Sequence, residues 1–260
     1  MGKEYWAKRQ RDVQRKIADK TIAQCERELA RQYRRSMEKI IDSFEAVYDK
    51  VQNTVADGME PTPADLYKLD KYWQMQAQLK EEAQKLGDKS VELLSKAFED
   101  EWREVYEKTA IQSDRAFSTI STANAKAVVD NVWLADGKSF STRIWKNTEK
   151  LVETLNDELI HCVVTGKKTT MLRELLENRF DVSRRQANTL IRTEAAHIQT
   201  EAARQRYQDS GIQQVEFWAD PDERTCDVCG KLHKQKFPVN APPMVPAHPN
   251  CRCCILPVVD

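Results

Sequence analysis

The chain has 260 residues, and its 41 Lys and Arg are balanced by 41 Asp and Glu. That length suits one large or two modest domains with a sizeable core, and at 40% hydrophobic and 32% charged the chain is neither a disordered tail nor a membrane protein. No run reaches the roughly 18 apolar residues that a spanning helix needs, Met1 to Trp6 lack an apolar signal region, and zero net charge argues against a polyanion-binding surface over the whole molecule; the chain is expected to be made and kept in a cytosol.

Charge and punctuation divide the chain. Residues 1–39 carry 12 Lys and Arg against 6 Asp and Glu, a net +6, and residues 40–110 carry 9 against 16, a net −7. A basic head thus precedes an acidic middle; a solvated helix surface gives such a pattern, and so does an arm that meets nucleic acid or an acidic partner. Seven of the nine prolines and five of the seven cysteines follow residue 220, and none of the prolines lies between Pro63 and Pro221. Proline removes a helix donor and clashes with the preceding turn. The chain therefore reads as a helical body to about Gly211, followed by a loop-rich module. The expected parts are a long N-terminal helix with its basic arm (1–57), a helical body (58–211) and a Cys-rich module (212–260).

The first helix is expected from about Glu4 to about Val55. Tyr33, Met37, Ile40, Phe44, Val47 and Val51 recur at alternating spacings of four and three, a seam that needs a partner surface, most simply within the same chain. The stretch Lys8 to Arg31 is sparsely apolar and reads as a projecting arm. Gly58 stops this helix, and Thr62 caps a new one with Pro63 at its first position. Leu66, Leu69, Tyr72, Trp73, Met75, Leu79 and Leu86 share a broad face, Gly87-Asp88 reads as a stop, and Val91, Leu94, Phe98, Trp102 and Val105 mark a further helix, paired antiparallel with the one before it. Beyond Trp133, Ser139 or Ser141 caps a helix that Gly166 breaks. Thr169-Thr170 opens a short helix through Phe180, and Ser183 caps a last one, 184–209, ended by Gly211. Glu194 and His197 stand at i, i+3 on it, a spacing that can bind metal or serve acid–base chemistry but is more simply structural. Cys25 and Cys162 lie in helical context and read as ordinary thiols.

After Gly211 the period changes. Val215 to Ala219 and Arg252 to Val259 are strand candidates. Between them lie Cys226-x2-Cys229 and His248-x2-Cys251, with Cys253 and Cys254 just beyond. Two short chelating pairs separated by a loop are what a tetrahedral metal site needs, and in a reducing compartment zinc suits such spacing better than disulfides. The candidate ligands are Cys226, Cys229, His248 and Cys251, with Cys253 as the alternative for one of them. The competing reading is a metal-free module whose reduced thiols pack as small apolar residues. His233 is a further candidate donor, though it reads more simply as a loop histidine. The fold class expected is mainly α: an elongated helical body with a small C-terminal α+β, Cys-rich module carrying this zinc-ligand pattern.

Phe217-Trp218-Ala219, Asp222-Glu223-Arg224-Thr225-Cys226-x2-Cys229, Phe237, Pro242-Pro243 and His248-Pro249-Asn250-Cys251-Arg252 resemble the C-terminal signature of tailed-phage minor head proteins, the head-morphogenesis family typified by the phage Mu F protein. Arg192-Thr193-Glu194 with His197 is similar to that family's helical motif. Phe140-Ser141-x-Arg143-Ile144-Trp145 and Tyr5-Trp6-x-Lys8-Arg9 resemble the Gram-positive siphophage branch. One departure is Lys234, where family members carry a glycine suited to a left-handed turn. The resemblance implies a non-enzymatic virion protein at the portal vertex or inside the head, active in capsid assembly and in genome packaging or ejection. It is expected in the virion, and in the host cytoplasm during assembly. It also implies a portal oligomer as partner, with capsid or scaffold protein as further partners. Packaged DNA would meet residues 1–39 without sequence preference. Arg192, Thr193, Glu194, His197, Asp222, Arg224 and Thr225 are then structural motif residues, none of them catalytic.

The alternative is a nucleic-acid-processing enzyme or toxin-like module with a zinc site. His248-Pro249-Asn250 hints at a nuclease, but neither an acidic-His pair at nuclease spacing nor a Gly-rich phosphate loop accompanies it.

Overall fold

The computed structural model describes residues 3–53, 61–109, 122–134, 136–219 and 225–258. Gly58, Asp222 and Arg224 lie outside the described residues, so the helix stop and the two motif positions expected there have no structural account. The order of elements is α1 (Lys3–Gln52), α2 (Pro63–Tyr67), α3 (Asp70–Lys108), α4 (Thr122–Val129), α5 (Phe140–Val164), α6 (Thr169–Asp209), β1 (Gln214–Trp218), α7 (Asp227–Leu232), β2 (Lys236–Pro238) and β3 (Cys254–Pro257). The fold is mainly α with a small C-terminal antiparallel sheet, ordered β2-β1-β3. The chain forms two compact units. The first comprises residues 1–26, 93–140 and 189–260, the second 27–92 and 141–188.

The second unit packs helix on helix. Tyr33, Ile40, Phe44, Val47 and Val51 of the expected seam are buried against the same chain, with Met37 half-buried. Burying such side chains contributes roughly 2 kcal/mol each before entropy is subtracted. Thr62 caps α2 through a reciprocal box with Asp65, whose hydrogen bonds from Thr62 hold its carboxyl at about 2. That helix ends after five residues, and α3 restarts at Asp70.

Two expected breaks are not breaks. Gly87 lies inside the continuous α3, which replaces the antiparallel pair expected there. A Cβ at Gly87 would stand 2.4 Å from the Trp145 ring, so the glycine lets α5 approach rather than stopping a helix. Ser183 likewise lies inside the 41-residue α6. Its hydroxyl pairs with the Tyr33 hydroxyl at 3.2 Å, and Asn147 donates to Tyr33 Oη and to the Ser183 carbonyl. The serine hydroxyl serves the core instead of a cap. Gly166 and Gly211 do follow helix ends, both at positive φ, and Ile212 N–H closes the end of α6 on the Tyr207 carbonyl.

In the first unit, the start of α1 is no projecting arm. Gln14, Ile17, Ala18 and Cys25 are buried, and Gln14 Nε2 donates to Tyr207 Oη at 2.8 Å. A buried stripe built from glutamine and small residues escapes a search for apolar periodicity. Lys20 pairs with Glu104 at 3.2 Å, which sets α1 against α3. β1 runs antiparallel to both neighbours, with Val215 opposite Phe237 and Phe217 opposite Ile255. β2 and α7 had no counterpart in the sequence reading. The turn into β2 is made by Lys234 at φ 64, so a lysine takes the left-handed position for which relatives are expected to use glycine.

Glu101 on α3 is 1% exposed, and neither carboxylate oxygen has a hydrogen-bond partner among the described residues. Burial, and then the negative charge of Glu104, pushes its carboxyl well above the ordinary range. Below the unfolded value of about 4.3 both states hold the proton and the group has no effect. As pH rises past that point the unfolded chain releases its proton first, so stability falls until the folded carboxyl ionises too. Glu101→Gln removes this dependence. The melting temperature of the variant should gain on the wild type steadily between pH 4.5 and 7.5; a constant difference across that range would contradict the assignment.

Candidate metal centre

Cys226 forms the N-cap of α7, and its Sγ accepts from the Cys229 N–H at 3.4 Å. The turn that caps the helix thus places both cysteines of the first pair. The second pair sits on the loop before β3, where Asn250 at φ 59 makes the turn and Cys251 N–H donates to the His248 carbonyl. The two loops meet at Cys229. Its Sγ lies 3.5 Å from His248 Nε2 and 3.9 Å from Cys251 Sγ. Cys226, Cys229 and His248 form one group able to hold a metal ion, and Cys229, Cys251 and Cys253 another, with donor atoms within 4.8 Å of one another in each. The structure therefore brings together all five sequence-predicted donors, with Cys229 common to both groups. His233 is in neither; its Nδ1 accepts from Ala219 N–H and its ring packs edge-on against Trp218.

The electrostatics of the cluster are uneven, lowering two of its thiols and raising two. His248 Nδ1 donates to the Pro249 carbonyl at 3.0 Å, which leaves the lone pair on Nε2, the nitrogen facing the thiols. A hydrogen bond from the Cys253 thiol, with backbone N–H groups, holds the Cys251 thiol at about 5 against its burial. Cys226 is lowered as well, first by the Cys229 N–H. Burial raises Cys229 to about 12, and the Cys251 sulfur raises Cys253. A bound cation would reverse the last two shifts, because it favours the thiolate.

The motif on α6 pins this cluster to the helix. Arg192 Nε donates to Glu26 at 2.7 Å. Thr193 Oγ1 donates to the Thr189 carbonyl and accepts from the Asn250 N–H, tying α6 to the loop that carries His248 and Cys251. Glu194 Oε2 accepts from Trp133 Nε1 at 2.9 Å, and the His197 ring stacks on Trp133 with centroids 4.2 Å apart. Thr225 stands beside Cys226 in the wall of the adjoining groove. Sequence reasoning missed Trp133 and Asn250 as partners of the motif, and Tyr207, which donates to the Ile255 carbonyl.

Burial lowers His197 to about 4, with Glu201 opposing the shift. The unfolded imidazole titrates near 6.5, so the contribution of neutral His197 is complete above that pH and is lost as pH falls towards 4. The full effect is roughly 3 kcal/mol. Denaturant unfolding at pH 7.5 and 4.5 should show a larger acid loss in the wild type than in His197→Asn by about that amount; equal losses would contradict it.

No curated protein and no solved structure matches the chain at a significant level. Residues 153–256 match the family model described as Phage Mu protein F like protein. The match takes in most of α5, all of α6 with its Arg-Thr-Glu-x-x-His motif, and the Cys cluster with its sheet. Over these residues the chain is similar to the Phage Mu protein F like family, and the match supports a phage head-morphogenesis family.

Proposed function

We propose that the protein is a non-enzymatic minor head protein of a tailed phage. It associates with the portal vertex and the inner head, and acts in capsid assembly and in genome packaging or ejection. The observation that carries this reading is the family match over 153–256. The motif geometry agrees with it: Glu194 and His197 both meet Trp133, one by a hydrogen bond and the other by ring stacking. The chain works in the virion, and in the host cytoplasm during assembly. Its partners are the portal oligomer, with capsid or scaffold protein and packaged DNA as further contacts. Among the described residues, no helix is long and apolar enough to cross a membrane.

The cofactor proposed is zinc, held by Cys226, Cys229, His248 and Cys251, with Cys253 as the alternative for one of them. Tetrahedral zinc with Zn–S near 2.3 Å and Zn–N near 2.0 Å requires edges of about 3.8 Å between sulfurs and about 3.5 Å between sulfur and nitrogen. The separations at Cys229, 3.9 Å to Cys251 and 3.5 Å to His248, fit those edges. Zinc in such a closed set acts as a structural crosslink worth on the order of 10 kcal/mol of folding free energy. Metal analysis of the purified protein should give one zinc per chain. Cys229→Ser should abolish binding, because Cys229 belongs to both donor groups. Zinc-free protein that keeps a unique fold in chelator would contradict the metal reading.

The portal reading is tested by co-purification. Co-expressed with the portal protein of the same genome, the full chain should elute with the portal ring, and assembled heads should contain both. Its appearance only in tails or free in the cytosol would overturn the assignment.

A further inference from the structure

Of the seven cysteines, all within the described residues, six are buried and Cys226 is half-exposed. Cys226 and Cys229 both line a groove of about 620 Å³ within the first compact unit. They stand three residues apart at the start of α7, where Cys226 Sγ accepts from the Cys229 N–H at 3.4 Å and the two sulfurs lie within 4.8 Å of each other. Two thiols at this spacing suit reversible oxidation. The exposed sulfur can be attacked from solvent, and the buried one behind it can close the bond.

We infer that Cys226 is a site of oxidation by small peroxides, and that it closes on Cys229 as a reversible disulfide which disables the metal centre. The consequence for the metal rests on the donor set proposed above; the chemistry at sulfur does not. The Cys226 sulfur attacks one oxygen of hydrogen peroxide. An S–O bond forms, the O–O bond breaks, and hydroxide leaves a sulfenic acid on Cys226. The Cys229 sulfur then attacks the Cys226 sulfur. The S–S bond forms as the S–O bond breaks, and a second hydroxide departs. Two electrons pass from the two sulfurs to the peroxide. Two protons, from the thiols or from solvent where a metal holds them as thiolates, complete two waters. Cys251 and Cys253 also lie within 4.8 Å of Cys229, but both are buried, so Cys226 is the thiol that a peroxide meets first. The disulfide takes donors from both groups, because Cys229 belongs to each. Thiol reductants return the pair to its starting state. A head protein assembled in a reducing cytoplasm and released in a virion passes through that change of conditions.

The test treats the full-length, zinc-loaded protein with a small molar excess of hydrogen peroxide. Released zinc is followed with a chromogenic chelator, and the thiols are mapped by differential alkylation and mass spectrometry. The wild type should lose its zinc and gain one disulfide, Cys226 to Cys229; dithiothreitol followed by added zinc should restore the starting state. Cys253→Ser keeps the four proposed ligands and should behave as the wild type. Cys226→Ser should leave Cys229 reduced. Zinc-free Cys229→Ser lacks the closing thiol, so dimedone, which traps sulfenic acids, should label Cys226; this readout needs no bound metal. A disulfide mapped to Cys251 or Cys253, or zinc retained once the Cys226–Cys229 bond has formed, overturns the inference. A zinc-loaded protein whose Cys226 and Cys229 survive peroxide overturns it while the zinc reading stands. A protein that purifies without zinc and still forms the disulfide overturns the zinc reading alone.

Discussion

The hydroxyl of Tyr207 is the point on which the first unit depends. It is wholly buried, accepts from Gln14 of α1 and donates to the Ile255 carbonyl of β3. One side chain of α6 thereby ties the basic end of the chain to the sheet that carries the Cys cluster. Burial pushes its ionisation far upward, so it stays a donor at any ordinary pH. A hydroxyl in such a place is costly unless both of its hydrogen-bonding roles are filled. Here they are filled by groups 193 and 48 residues away in sequence. Thr193, four turns earlier on the same helix, adds a second tie through Asn250.

These ties give the cluster its setting. Its donors come from the start of α7 and from the loop before β3, and elements of that size have little core of their own. A metal would crosslink the loops to each other, while α6 fixes them to the helices. The Arg-Thr-Glu-x-x-His motif is then a set of attachments: Arg192 to α1, Thr193 to the ligand loop, Glu194 and His197 to Trp133. The same convergence gathers Arg11, Arg15, Arg192 and Arg252 around one groove. The family match covers the motif and the Cys cluster, while α1 and Trp133 supply partners from outside it.

What could be read from the sequence was what acts locally. The seam from Tyr33 to Val51, the Thr62-Pro63 start and the ends at Gly166 and Gly211 follow from spacing, capping chemistry and backbone freedom, and the structure contains them. Gly87 and Ser183 carried equally strong local signals, but tertiary partners decide them: Trp145 fills the space beside the glycine, and Tyr33 takes the serine hydroxyl. The clustering of Cys226, Cys229, His248, Cys251 and Cys253 was legible because chelating pairs must be close in sequence. Gln14 was not, because an inward glutamine looks like a surface residue until its partner is known. β2 is three residues long, and its turn is taken by a lysine at positive φ, so neither length nor a turn residue announced it.

Central to this account is that the Cys cluster and the helices around α6 form one cooperative unit. Hydrogen exchange of the full chain, with metal present and after chelation, tests that directly. The account predicts that chelation raises exchange together in residues 3–26, 189–213 and 225–258, while 27–53 and 141–188 keep their protection. Loss confined to 225–258, or no loss at all, would contradict it.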